Sequence, residues 1–431
     1  MIQLLLFTAL FVAAADGAPA NDALANQVDS LVRKFDAQQL TERDNAEREL
    51  EALGSEILPL LPPIGDRTSA EAAQRLTRLR QVLMRAQAKS AAEPTHVTLK
   101  GKSLSLDQVL AEITKQTGNA ITDHRVAFGQ QADARQVDVD FDKTPFWQAL
   151  DEVLDQAQLT LYGFAGEPGL FVINRATGSA PRRAKASYAG VFRLEPVRFE
   201  AQRDLRNVEH GGLRLFIEVS WEPRLQPFSI LQPLSEIKAV GNSGEAIATA
   251  SQQAEPETLI RRGFSTAELD VPFVLPPRGT SSVQRLTGKM IALVPGPLEE
   301  FRFEELPLVK RVARPKAITI RKAGTTLTLD GVRINNDIWE ASLRIRFEAP
   351  SAALESHRGW MLENQAYFLD AEGKRHDSGG LEQTLQSKDE IGLNYFFDLP
   401  AAPDDMTFVY RTPLMVLEIP VEYELRDLPL P

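Results

Sequence analysis

A chain of 431 residues is too long for one hydrophobic core and implies several domains. Its apolar (43%) and charged (25%) shares are those of a water-soluble globular protein, and a net charge of −11 sets its field against nucleic acid as the main partner. With no cysteine, disulfides, thiolate metal sites, a cysteine nucleophile and a lipidated N-terminal cysteine are excluded.

Residues 2–15 form an apolar run too short to span a bilayer, and Ala18-Pro19-Ala20 follows as a small-x-small cleavage pattern. The expectation is a secretory signal peptide over 1–20, with an uncleaved anchor as the alternative. After cleavage no stable membrane span is expected, and the location is the periplasm or cell envelope. Residues 22–92 read as helical. Leu24, Val28, Leu31, Val32 and Phe35 make one stripe, and Thr41 is the expected cap of a second helix ending at Gly54. A third helix is expected from about Ser69, with Leu76, Leu79 and Leu83 inward and Arg75, Arg78, Arg80 and Arg85 on a solvated face. The run ERDNAERELEALGSEILPLL resembles a HEAT-type repeat, which implies packing on flanking helices or a partner.

Residues 95–175 carry the clearest plan: strand, helix, strand, then the same again. Ser105 and Gln108 form a capping-box pattern ahead of the stripe Leu106, Val109, Leu110 and Ile113, and Gly118 supplies the left-handed stop. Val137, Val139 and Phe141 then alternate with Asp138, Asp140 and Asp142, a strand with one wet face. Thr144 is the expected cap of the next helix, with Pro145 in its first turn and Phe146, Leu150, Val153 and Leu154 inward. Strands over 159–163 and 170–174 complete the unit. The segments VTLKGKSLSLDQVLAEITKQTGNAI, VDVDFDKTPFWQALDEVLDQAQLTLY and GLFVI resemble the short N-terminal domain of secretins and TonB-dependent receptors (STN-like). That resemblance implies a small α/β module at the bacterial cell surface that docks other proteins without catalysis. No outer-membrane barrel or secretin ring pattern follows it in this sequence.

Residues 176–187 are small, polar and basic, and read as a linker. Beyond them the pattern turns to strands and repeats. LRLFIEVSWEP matches ASLRIRFEAP, IKAVGNSGEAI matches AYFLDAEGKRH, ELDVPFVLPP matches LNYFFDLPAAP, and FRFEEL matches VEYEL, in the same order. The expectation is two tandem antiparallel β-sandwiches, 188–308 and 309–431, resembling immunoglobulin-type accessory domains of exported bacterial proteins but lacking their Cys–Trp–Cys framework. The fold class is therefore multidomain α+β: an N-terminal α-helical segment, a small βαβ-βαβ module and the two sandwiches. Trp221, Trp339 and Trp360 read as core fillers.

Motifs for chemistry fail. Asp138-x-Asp140-x-Asp142 lacks the glycine and glutamate of a calcium loop, where Lys143 and Ala149 stand. The five histidines form no metal-binding pair, and no nucleophile elbow, Walker loop or dinucleotide fingerprint occurs. Glu355, His357, Arg358 and Trp360 are the candidate binding residues, a polar mix in which Arg358 suits a carboxylate. The reading is a non-enzymatic exported envelope protein, without cofactor or metal, that contacts envelope proteins through the STN-like module, with the sandwiches as spacer or second binding site. The alternative is a polysaccharide- or cell-wall-binding protein acting through the sandwiches.

Overall fold

The computed structural model describes residues 18–64, 67–163, 167, 169–207, 211–261, 263–296, 298–309, 315–322, 325–347, 361–362, 364–387, 390–413 and 416–431, with side chains from residue 23 onward. The chain is mixed and strand-rich, with an N-terminal helical segment and several sheets. It divides into two compact units, with boundaries near residues 86, 299, 350, 364 and 410. The expected signal peptide lies almost wholly outside the described residues. Among those residues no helix is long and apolar enough to cross a membrane.

The helical segment comprises α1 (Ala18–Arg33), α2 (Leu40–Ala52) and α3 (Ala70–Ala92). Val28, Leu31, Phe35, Leu50, Leu76, Leu79 and Leu83 are buried, so the apolar stripes face inward as the helical period requires. Gln39, not Thr41, is the N-cap of α2, and it makes no side-chain cap bond. Gly54, at φ 83°, follows the C-cap in a conformation that a side chain would strain. Of the arginines of α3, Arg78 and Arg85 are exposed as expected, but Arg75 is not. Arg75 is buried, bonding Glu47, Glu71 and Asp44, and Arg78 also pairs with Glu47. Glu47 is itself buried on α2, and an unpaired buried carboxylate would cost far more than the arginines lose in hydration.

The α/β region contains β1 (His96–Ser105), α4 (Leu106–Thr117), β2 (Ile121–Asp123), β3 (Gln136–Pro145), α5 (Phe146–Gln156), β4 (Leu159–Tyr162) and β5 (Leu170–Asn174). The strand pair β1–β3 is antiparallel, while β2, β5 and β4 form a second sheet in that order, β2 parallel to β5. Both helices supply one core, in which Leu106, Leu110, Ile113, Phe146, Trp147 and Leu150 pack with Val97, Val137 and Phe141. Ser105 caps α4 by accepting from Gln108 N–H, and Gly118 ends it at φ 72°. The N-cap of α5 is Pro145, one residue later than expected, because β3 runs on through Thr144.

The two halves repeat with an offset of forty residues. Leu99 pairs with Phe141 and Gly101 with Val139, and the offset carries Leu99 to Val139 and Gly101 to Phe141, so the two pairs exchange under it. Ser103 and Lys143 both adopt φ 49°, rare for residues with a side chain. Thr98 Oγ1 accepts from Lys143 N–H at 3.1 Å, and Asp138 Oδ1 accepts from Ser103 N–H at 2.7 Å. Each half thus anchors the bulge of the other.

Next come β6 (Ser187–Ala189), β7 (Phe192–Gln202), β8 (Gly212–Trp221), β9 (Ser229–Leu231), β10 (Lys238–Gly241) and β11 (Ala246–Ile247). They are followed by β12 (Glu257–Leu259), β13 (Thr266–Phe273) and β14 (Ser282–Pro295). One sheet runs β13-β8-β7-β6 and another β11-β10-β14-β9-β12.

The last strands are β15 (Leu298–Phe303), β16 (Ile318–Lys322), β17 (Thr325–Asn335), β18 (Ile338–Phe347), β19 (Gln365–Leu369), β20 (Arg375–Asp377), β21 (Gly380–Gln386), β22 (Glu390–Phe397), β23 (Thr407–Pro413) and β24 (Val416–Pro429). Here the sheets run β15-β23-β19-β20 and β16-β17-β18-β22-β21. Their aromatic side chains meet: Phe368 packs edge-on against Phe397 at 4.7 Å and beside Phe408 at 5.2 Å.

Strand β24 was expected to complete a sandwich over 309–431. It lies instead along the full length of β14, with Val421 opposite Met290 and Leu425 opposite Leu286. Tyr423 covers Gly288, where any Cβ would collide with its ring, and its hydroxyl donates to the Gln232 side chain at 2.8 Å.

Candidate functional site

Glu355, His357, Arg358 and Trp360 lie outside the described residues. Asp138, Asp140 and Asp142 occupy the exposed face of β3, where Asp140 pairs with Lys100 at 2.8 Å. Among the described residues no group of three or more histidines and carboxylates is placed to hold a metal ion. Trp221 is fully buried, whereas Trp339 is half-buried.

The α/β region presents one shaped apolar feature, on the loop after β2. Arg125, only 3% exposed, braces that loop from inside. Its guanidinium donates to both Asp123 oxygens, with Nη2 2.7 Å from Oδ2, and to Asp133 at 3.2 Å. Phe128 N–H donates to His124 O, Gly129 N–H to Val126 O and Gln130 N–H to Arg125 O, closing a tight turn completed by Gly129 at φ 66°. From the far side, Gln130 Oε1 accepts from Asn174 N–H at 2.7 Å, and Arg135 donates to the Asn174 side chain at 2.7 Å.

This bracing holds two apolar side chains outward: Val126 is 74% exposed and Phe128 42%. Phe128 stands edge-on to Tyr162 at 4.5 Å, and His124 lies over Phe171 at 4.4 Å. Burial works against the Asp123 charge, but the hydrogen bonds from Arg125 outweigh it and hold the carboxyl below its usual range. Asp133 is lowered too, chiefly by its hydrogen bond from Arg135.

A second polar constellation is sealed inside. Asp151 on α5 is fully buried and accepts from Arg193 Nε at 2.5 Å, Arg182 Nε at 2.7 Å and the Tyr188 hydroxyl at 2.8 Å. Arg193 also pairs with Glu195 at 2.7 Å. Nearby, buried Glu222 accepts from Thr95 N–H and Oγ1, the Asn119 amide and Arg224 Nε, while Trp147 Nε1 donates to Val191 O. These bonds fasten the α/β region to the strands β6–β8. Asp151, Arg193 and Glu222 are closed off from solvent. The stretch 176–187, expected as a solvated linker, is drawn into this seam by Arg182. The one sequence signal for it was Asp151 beside Leu150 on an apolar helix; its partners lie 31 and 42 positions away.

No family model matches the chain, and no curated protein or solved structure matches it significantly.

Proposed function

We propose that the chain is a non-enzymatic, exported cell-envelope protein that docks another envelope protein through its STN-like region, 95–175, with the immunoglobulin-like β-rich regions as spacer. The observation that carries this reading is the braced display of Val126 and Phe128. Apolar side chains held outward by the ion pairs of a buried arginine are ordered before any partner arrives, so binding loses little further entropy there. Covering each contributes about 2 kcal/mol.

The test is in-cell crosslinking of the tagged full-length protein, followed by mass spectrometry of the envelope fraction. Crosslinks from Lys100, Lys102 or Lys115 to one envelope protein are expected. The paired substitution Val126→Asp and Phe128→Ser should reduce their yield at least about tenfold without altering the fold. Undiminished crosslinks from that variant, or recovery outside the envelope with no crosslinks from the region, overturn the reading.

A further inference from the structure

We infer that a cleft in the C-terminal β-rich region binds a neutral sugar ring. The cleft, about 430 Å³, lies where the β17–β18 hairpin turns beside the end of β22. That volume is at the lower end of the range for small-ligand sites, about 300–1,000 Å³, and suits a monosaccharide or the end of a chain.

The hairpin fixes one wall. Asn335 pairs with Ile338 across a two-residue turn whose members, Asn336 and Asp337, both adopt left-handed φ values of 47° and 67°. Such turns match the twist of a hairpin and are stiff, so the amides of Asn335 and Asn336 stand at the rim in a defined place. Glu340, only 6% exposed, lies deeper and accepts from Asn335 Nδ2 at 2.9 Å and Arg333 Nε at 2.6 Å. Burial opposes its charge, but these two donors outweigh burial and keep it ionised. Asp398, exposed, provides a second carboxylate in the lining, and Phe396 and Ile338 give the cleft apolar walls.

The chemistry selects a ligand class. Among the described residues no cation lines the cleft, and Arg333, next to it, is engaged by Glu340. Phosphate, sulfate and uronate would therefore meet two carboxylates without compensation. A neutral pyranose matches both surfaces: its hydroxyls donate to Glu340 and Asp398 and exchange bonds with the amides, while its C–H face packs on Phe396.

The experiment is saturation-transfer NMR on the full-length protein with methyl β-D-glucopyranoside, N-acetylglucosamine and glucuronate. At least one neutral sugar should bind with millimolar affinity, and glucuronate at least about fivefold more weakly. Asn336→Gly removes the amide while keeping a residue that tolerates the left-handed turn, and Asp398→Ala removes an exposed carboxylate. Each should weaken binding about fivefold with an unchanged melting temperature. Three outcomes overturn the proposal: no transfer from either neutral sugar at about 20 mM, equal binding of glucuronate, or binding indifferent to both substitutions. The site is independent of the docking loop, so the Val126→Asp, Phe128→Ser variant should bind sugar like the wild type.

Discussion

Arg193 and Asp151 are both fully buried, and the arginine Nε lies 2.5 Å from the carboxylate. The pair joins β7 to α5, two elements 42 positions apart at these residues. Asp151→Asn would leave Arg193 and Arg182 without their shared counter-ion, a loss of about 3–5 kcal/mol. The expected result is a clear fall in the urea midpoint of the unit that contains them, read from the fluorescence of Trp147 and Trp221.

The same carboxylate sets an acid limit. Burial disfavours the charge of Asp151, but Arg182 and Arg193 outweigh it, so its folded pKa lies below the ordinary value. Below the unfolded value of about 3.9, the unfolded state binds more protons than the folded one. The contribution of Asp151 is therefore complete above that pH and is lost as pH falls through the folded pKa. Urea midpoints measured across the acid range should drop more steeply for the wild type than for Asp151→Asn.

Glu218 should behave oppositely. It sits directly between Glu195 on β7 and Glu268 on β13. Burial raises its pKa, the two glutamates add to the effect, and Arg182 and Arg193 partly offset it. The folded state then holds its proton above the unfolded value of about 4.3, and stability falls as pH rises from there through the folded pKa. Glu218→Gln should therefore raise the melting temperature at neutral pH, by the equivalent of about 0.5–1 kcal/mol, and remove this fall.

Gln116 and Gln156 close the outer edges of β1 and β3. Gln116 bonds both Thr98 N–H and Thr98 O, and Gln156 does the same to Asp138, at 2.8–2.9 Å throughout. A side-chain amide thus stands where a neighbouring strand would pair, which argues against strand addition at those points. Replacing both by alanine should cost about 1 kcal/mol per lost bond and open the edges. Sedimentation velocity should then show concentration-dependent self-association absent from the wild type.

Arg125→Leu tests the bracing of the loop proposed to dock a partner. Hydrogen exchange at residues 125–130 should accelerate, because the inner ends of the loop lose their ion pairs. Partner crosslinking should fall even though Val126 and Phe128 remain. Unchanged exchange would show that the backbone turn alone holds the loop.

Much of the local structure was legible in the residues. The helical stripe of α5, the alternation Val137, Val139, Phe141, and the stop at Gly118 all rest on periodicity or a single residue's backbone freedom, which short segments carry in themselves. The forty-residue repeat was visible as a plan, strand then helix, before its hydrogen bonds were known. The candidate residues around His357 fall outside the described structure. The loop that carries Val126 and Phe128 gave little warning, because both look like core residues until Arg125 is seen beneath them.

By itself, then, the sequence determined the type and order of most elements, because helix and strand periods are set by neighbours a few positions apart. Only the tertiary structure decided that β24 joins β14, that Arg75 and Arg182 are buried, and that Asp151 holds two arginines. The physical reason is the same in each case. A strand edge or a buried charge is satisfied by whichever partner the fold brings within about 3 Å, and that partner leaves no mark at a fixed spacing along the chain.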